Sequence, residues 1–218
     1  MNEHEFEPVP GLPEPLPAGE RILWQGAPRA AALAVRAFHV RKVGAYFALL
    51  MAWRAATDLA DGLGAAAAAT SAIGLLPVAL VAIGLLALLA RATARSTLYT
   101  ITDQRVVMRF GIALTMALNV PFRTIESAAL RRHGDGTGDL PLALADGQRI
   151  SYFVNWPHVR PGRRGKAQPM LRAVPDADRV AELLSAALAA YAGPSAQAPR
   201  LVPERDPAGQ QRQATAAA

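Results

Sequence analysis

The chain has 218 residues, of which 52% are hydrophobic but only 6% aromatic, and a formal net charge of +6. This size and composition fit a membrane segment joined to one small soluble domain, and they exclude a large enzyme. The chain has no cysteine, which excludes disulfide bonds, thiolate nucleophiles and cysteine-based metal sites. The arginines cluster beside apolar stretches, so lipid attraction and membrane topology account for the positive charge, and no nucleic-acid partner is expected.

Both ends of the chain have the composition of flexible tails. Residues 1–20 contain five glutamates and no Lys or Arg, which is the opposite of the basic opening of a signal peptide. We therefore predict a flexible, acidic and proline-rich tail over residues 1–27. Residues 194–218 are rich in Pro, Gln and Ala, and this predicts a disordered C-terminal tail.

The region over residues 28–95 predicts a transmembrane hairpin preceded by a short interfacial helix. Its second half contains an uncharged run long enough to cross a bilayer once, which predicts a span over about residues 68–90. The first half predicts a weaker span over about residues 40–60. Pro77 cannot donate a backbone hydrogen bond, so we predict a kink in the second helix.

The charged residues within the predicted spans and those beside the spans are interpreted separately. Arg54 and Asp58 lie four residues apart in the weaker span, which predicts an ion pair near one end of that helix. Basic residues flank the outer ends of the hairpin, so the positive-inside rule places both termini in the cytoplasm. The residues predicted to lie at the membrane interface are Arg36, His39, Arg41, Lys42, Arg91 and Arg95.

Residues 96–193 predict a β-rich soluble domain closed by a helix. From Thr97 onward, apolar residues alternate with polar ones, which predicts about seven short strands. Asp146-Gly147 marks a tight turn between two of them. Apolar residues at helical spacing from Val180 to Tyr191 predict an amphipathic C-terminal helix. The predicted strands lie near residues 99–101, 106–110, 116–120, 125–132, 140–144, 150–156 and 170–174.

The predicted fold class is therefore an α+β membrane protein. A two-helix transmembrane hairpin precedes an antiparallel β-sandwich or barrel, and a C-terminal α-helix closes the sandwich.

No residue pattern in the chain predicts catalysis, a cofactor or a metal. The four histidines are too scattered for a metal-ligand motif, and no Ser/His/Asp set, carboxylate pair or cofactor loop is recognisable. We therefore expect a non-catalytic protein. One basic loop supports three interpretations, namely a solubilising surface, contact with anionic lipid, or docking to an acidic protein partner. Its residues are His158, Arg160, Arg163, Arg164 and Lys166.

Several stretches of the sequence resemble known families. The segments YTITDQR, from Tyr99 to Arg105, and VPFRTIE, from Val120 to Glu126, resemble the bacterial pleckstrin-homology (PH) domain that follows two membrane helices in many small bacterial proteins. The segment GERILWQG resembles the lead-in that such proteins carry before their first span. Further stretches narrow the resemblance to the PuhB-type photosynthetic complex assembly proteins of purple bacteria. These stretches are residues 6–13, 36–41, 156–160 and 169–176.

This resemblance implies a PH-like sandwich and a role outside catalysis. It implies a membrane-anchored assembly factor for the photosynthetic reaction centre and the core light-harvesting complex. Its implied partners are subunits of those complexes and anionic membrane lipid, and its implied location is the bacterial inner, or intracytoplasmic, membrane. The alternative is a membrane-anchored PH-like module that binds anionic lipid. The contacted subunit, homo-oligomerisation, transient pigment binding, a third span and the role of the tails stay open.

Overall fold

The computed structural model describes residues 11, 12, 14–145, 150–162, 167–193 and 200–203. The chain divides into two compact units. The helical unit comprises residues 30–93, and the β-rich unit comprises residues 1–29 together with 94–218. The helical unit is thus an insertion in the chain of the β-rich unit.

Four helices follow one another through the inserted region. Helix α1 spans Ala30–Arg36, α2 spans Val40–Ala60, α3 spans Ala65–Ile73 and α4 spans Leu76–Ser96. α1 confirms a short helix in the entry segment, and α2 confirms a helix over the predicted range. A short turn returns the chain from α2 into α3, and these two helices pack against each other.

Arg54 and Asp58 form the predicted ion pair on α2. Their closest atoms, Arg54 Nη2 and Asp58 Oδ1, are 3.2 Å apart. The Asp58 side chain is buried, whereas that of Arg54 is 56% exposed. A buried carboxylate is costly without a counter-charge, so Arg54 makes the burial of Asp58 tolerable.

Pro77 interrupts the long apolar helical stretch. A two-residue turn separates α3, which ends at Ile73, from α4, which begins at Leu76. Pro77 has no N–H to offer the Ile73 carbonyl, and the predicted kink is confirmed as a break. Among the residues that the structure describes, Ala65–Ser96 is the one helical stretch long and apolar enough to cross a membrane. α2 is not apolar enough to meet that measure, so only the second helix of the predicted hairpin is supported by composition.

Two sheets build the β-rich unit. The strands of the first sheet are β1 Ile22–Gly26, β2 Leu98–Thr102, β3 Arg105–Phe110 and β4 Met116–Pro121. They pair in the order β1-β2-β3-β4, and every pair is antiparallel. A short 3₁₀ helix, Phe122–Thr124, then leads into the second sheet.

The second sheet and the last helix complete the unit. The strands are β5 Ile125–Arg132, β6 Thr137–Leu144, β7 Val159–Pro161, β8 Ala167–Pro175 and β9 Arg200–Pro203. They pair in the order β7-β8-β6-β5-β9, in which β9 runs parallel to β5 and the other pairs are antiparallel. Helix α5, Ala177–Ala192, follows β8 and confirms the predicted amphipathic helix.

One hydrophobic core lies between the two sheets and α5. Its side chains alternate along the strands and recur at helical spacing along α5, which explains why sequence periodicity predicted most of these elements. The close approach of α5 to β6 requires Gly138, because a Cβ at that position would lie 2.5 Å from the Cβ of Ala177. The core therefore fixes the sheets and α5 as one body.

The prediction of flexible tails is wrong for the residues that form β1 and β9, whereas residues 1–10, 194–199 and 204–218 lie outside the described residues. β1 lies within the predicted tail over residues 1–27, yet it pairs with β2. Glu20 is also buried, and its Oε1 accepts a hydrogen bond of 2.8 Å from Arg105 Nε. At the other end, β9 lies within the predicted tail over residues 194–218 and pairs with β5. Both partners are distant in sequence, so local composition does not reveal the pairing.

The predicted strand over residues 150–156 is also wrong. This segment forms turns, and the neighbouring stretch that pairs with β8 is β7. The alternating side chains behind the prediction, Tyr152, Val154 and Trp156, are exposed instead of facing the core. The predicted turn at Asp146-Gly147 lies outside the described residues.

The ion pair between Glu20 and Arg105 gives a test of the role of the N-terminal segment. We expect Glu20→Ala to lower the free energy of unfolding by about 2 to 3 kcal/mol, because it leaves a partly buried guanidinium unpaired. Denaturant unfolding of the detergent-solubilised chain, followed by near-ultraviolet circular dichroism, measures this loss. Arg21→Ala is the matched control, because the Arg21 side chain is 83% exposed and its pair with Asp103 spans 3.8 Å. That control should cost less than about 0.5 kcal/mol, and equal losses in both variants would contradict the prediction.

Candidate functional site

The end of the β-rich unit at which the chain leaves α4 gathers several segments. β2 starts directly after α4, and its first residue, Leu98, pairs with Arg109 near the end of β3. The turn between β3 and β4 therefore lies at this end, which we call the helix-proximal end. The rings of Phe110 and His158 are 4.9 Å apart, so the segment before β7 lies there as well.

His158 is the centre of a buried polar network at the helix-proximal end. Its Nε2 lies 3.2 Å from Thr97 Oγ1, and its Nδ1 lies 2.7 Å from the hydroxyl oxygen of Tyr99. The same hydroxyl oxygen accepts a hydrogen bond of 3.1 Å from the backbone N–H of Arg172. The network thus joins the residue that follows α4 to both sheets.

The His158 ring lies between two hydroxyl groups, those of Tyr99 and Thr97. The Tyr99 hydroxyl oxygen is 2.7 Å from His158 Nδ1 and 3.5 Å from the carbonyl oxygen of Arg172. A neutral imidazole offers one donor and one acceptor, which match these two hydroxyl partners. Burial, assisted by the charge of Arg172, lowers the pKa of His158 to about 3, so this ring is neutral near pH 7. Burial likewise raises the pKa of Tyr99, which keeps its hydroxyl protonated.

A bulge in β8 supports this network from the second sheet. Arg172 and Ala173 together oppose the single residue Asp139 on β6. Ala173 has a φ of 53°, and its N–H donates to Asp139 Oδ1 at 2.8 Å. Asp139 Oδ2 lies 3.1 Å from His133 Nε2. Burial lowers the pKa of Arg172, an effect that the Asp139 carboxylate opposes. Asp139 therefore fixes the stretch of β8 whose backbone contacts Tyr99.

The structure corrects the prediction that His158 belongs to a basic contact surface. Its side chain is fully buried and neutral, so it can attract neither anionic lipid nor an acidic partner. Arg160 is half-buried, and its Nε donates to Gln168 Oε1 on the adjacent strand at 2.9 Å. The remaining members of the predicted surface lie outside the described residues and stay predictions. They are Arg163, Arg164 and Lys166.

The residues predicted at the membrane interface all lie at or near helix ends. The first four occur where α1 ends and α2 begins, and the last two occur in the final turns of α4. All are exposed except the first, which is half-buried. Positive side chains at the end of α4 also complement the negative end of the helix dipole. In chain order the residues are Arg36, His39, Arg41, Lys42, Arg91 and Arg95.

Two exposed apolar loops at the helix-proximal end escaped the sequence prediction. The turn loop, residues 111–116, joins β3 to β4 and exposes 80% of Leu114. The aromatic loop, residues 151–157, precedes β7 and exposes 89% of Phe153 and 43% of Trp156. The alternation of apolar residues in the aromatic loop predicted a strand that faces the core. The same apolar residues are instead the sequence signal for an exposed patch.

The polar network positions the loops at the helix-proximal end. Both ring nitrogens of His158 are occupied by hydrogen bonds within the protein. In the part of the chain that the structure describes, no group of three or more His, Asp or Glu side chains converges as a metal site. The Nε atom of Arg172 is buried without a hydrogen-bond partner, so the bonding of this interior is not complete.

The family model of the bacterial PH domain matches residues 38–188, well over half of the chain. The two sheets and the following helix fit that domain, and the chain belongs to the bacterial PH domain family. The chain is 42% identical over 190 residues to a protein of Rhodobacter capsulatus described as an uncharacterized 23.7 kDa protein in the puhA 5′ region. The alignment covers 86% of this chain and 89% of that relative. No solved structure matches the chain.

The neutral His158 predicts a specific pH dependence of stability. Its pKa is about 3 in the folded chain and about 6.5 when unfolded, so the unfolded state binds more protons between these values. The stabilising contribution is complete above pH 6.5 and is lost as the pH falls toward 3, by about 1.4 kcal/mol per pH unit. We expect the unfolding free energy to drop between pH 7 and pH 5, and His158→Gln to reduce that drop by about 2 kcal/mol.

Denaturant unfolding of the full chain and of His158→Gln at both pH values measures the difference. Gln keeps one acceptor and one donor for Tyr99 and Thr97 but does not titrate in this range. The variant should therefore retain the near-ultraviolet dichroism of the folded sandwich. An unchanged pH dependence in this folded variant would show that His158 is not the responsible group.

Proposed function

We propose that the chain is a membrane-anchored, non-catalytic assembly factor that assists formation of the photosynthetic reaction centre and its core light-harvesting complex. The observation that carries this proposal is the 42% identical relative, whose description places it in the puhA 5′ region, and puhA is a reaction-centre gene. The resemblance of residues 6–13 and 156–160 to the PuhB-type assembly proteins points the same way.

We propose two membrane spans, with both termini and the β-rich unit in the cytoplasm. The apolar stretch Ala65–Ser96 supplies one span, and its exposed Leu80, Val81 and Leu88 are suited to lipid. α2 supplies the other span. Its charges lie at its start and in the Arg54–Asp58 pair near its end, which leaves an uncharged middle.

The pairing of β1 with β2 supports an even number of crossings. Gly26, the last residue of β1, pairs with Tyr99, so the chain leaves and re-enters one sheet at adjacent positions. An insertion that starts and ends in the same folded sheet must return to the side from which it left. If Ala65–Ser96 crosses once, α2 has to supply the other crossing, because α1 has only seven residues.

The absence of native cysteine allows a direct test of this topology. We expect a cysteine introduced as Asp61→Cys, in the exposed turn after α2, to react with a membrane-impermeant maleimide added to spheroplasts. Gln104→Cys, exposed in the turn between β2 and β3, is the matched control and should react only after the membrane is permeabilised. Equal reactivity of both variants would place the two sites on one side and contradict the two-span proposal.

The proposed partners are subunits of the reaction centre and the core light-harvesting complex, together with anionic lipid. The helices can contact membrane segments of an assembling complex. β4, the last strand of its sheet, can pair with an extended segment of a partner. The surface for such contacts therefore includes both units.

Affinity purification of the tagged full chain tests the assembly function. We expect mild-detergent eluates from cells that are building photosynthetic membranes to contain reaction-centre or core-antenna polypeptides, identified by mass spectrometry and absorption spectra. Deletion of the gene should lower reaction-centre absorption severalfold. Recovery of only the tagged chain with anionic lipid, together with normal complex levels in the deletion strain, would reject the assembly role and favour the lipid-binding module.

A further inference from the structure

The turn loop and the aromatic loop lie at the same end of the β-rich unit, and both expose apolar side chains. We propose that both loops insert into the headgroup layer of the bilayer that α4 spans, so that lipid is the occupant of this surface. This inference rests on the span proposed for α4. It adds a second attachment to the membrane, one that uses folded loops instead of helices.

Contacts around His158 bring the two loops to the same end. The turn loop starts directly after Phe110, and the aromatic loop ends directly before His158. Their rings are 4.9 Å apart. Leu114 is four residues from Phe110 and Phe153 is five from His158, so each loop tip lies within about 18 Å of this ring contact.

The same ring contact is tied to the end of the membrane helix. Thr97, which follows the last residue of α4, lies 3.2 Å from His158 Nε2. Arg95 is two residues earlier in the chain and is exposed, which suits a side chain at the lipid headgroups. The headgroup layer is only about 5 to 8 Å thick. The ring contact is thus close in the chain to the end of α4, and loop tips within about 18 Å of it can reach the headgroup layer when this end of the β-rich unit faces the bilayer.

The composition of the loops suits lipid. Neither residues 111–116 nor residues 151–157 contain a charged side chain. Leu114 and Phe153 are among the most exposed large apolar side chains of the described chain, at 80% and 89%. The Tyr152 and Trp156 side chains combine an apolar ring with a polar group, a combination that favours the membrane interface.

The opposite end of the first sheet is polar. There the turn between β2 and β3 contains Asp103 and Gln104, and Asp103 is bonded to the backbone of Arg21. Apolar loops at one end of the sheet and a polar turn at the other indicate that only the helix-proximal end faces lipid. Gly111, at a φ of 125°, keeps the turn loop compact, because a Cβ there would collide with the Leu114 carbonyl.

Labelled single-cysteine variants of the full chain in liposomes test the proposal. Leu114→Cys and Phe153→Cys report on the two loops, and these exposed positions leave the core intact. Leu23→Cys is the matched control, an exposed leucine on β1 near the far end of β2. Leu85→Cys reports on the middle of α4. Each variant carries an environment-sensitive fluorophore, which is quenched by lipids that carry a nitroxide at a shallow acyl position for the loop labels or at a deep acyl position for the Leu85 label, or by aqueous iodide.

We expect the loop labels to be quenched by the nitroxide lipid severalfold more than the Leu23 label, and to be protected from iodide. If the loop labels behave like the Leu23 label while the Leu85 label is quenched by lipid, the inference fails and the proposed span stands. If the Leu85 label is not quenched by lipid, the proposed span fails and takes the inference with it. Loop labels protected from both quenchers would indicate a protein cover and would overturn the assignment to lipid.

Discussion

The pairing of β1 with β2 is the constraint on which the rest of this molecule depends. It brings together residues on either side of the whole helical unit, for example Gln25 Nε2 and Thr100 Oγ1 at 2.9 Å. The buried pair of Glu20 with Arg105 seals the same junction. Because the sheet closes around the insertion, the helices must begin and end on one side of any membrane they enter. The fold of the β-rich unit thereby limits the topology of the helical unit.

Sequence reasoning recovered the elements whose signal is local. Periodicity located α5 and most strands, because core-facing side chains repeat along each of them. The range of α2 followed instead from a largely apolar run of bilayer length. It failed where a long-range partner decides the structure. Ile22–Gly26 and Arg200–Pro203 have strand partners far away in the chain, so composition made them look like parts of tails. The aromatic loop alternates like a strand, but it forms turns, and none of the strands in the described residues pairs with it.

The residues of the candidate site likewise divide into those that the sequence predicted and those that it did not. The place of the basic residues at the ends of the helices could be predicted, because charged residues bound the apolar runs of the sequence. Their position at a membrane interface stays a prediction. The burial of the His158 side chain could not be predicted, because its neighbours Thr97, Tyr99 and Arg172 lie in other segments of the chain. Its position beside arginines in sequence suggested a charged surface, whereas the fold removes it from water. The network then connects both sheets at the point where the chain emerges from α4.

The helical unit separates β1 from the other strands of the first sheet along the chain, and this separation has a consequence for synthesis. β1 leaves the ribosome well before β2, so it has no partner until all four helices have been made. A chain inserted with a single crossing would leave β1 and β2 in different compartments. Trp24 could then not pack against the core, and β2 would keep an open edge. If the helices span a membrane as proposed, the sandwich can therefore be completed only after an even number of crossings.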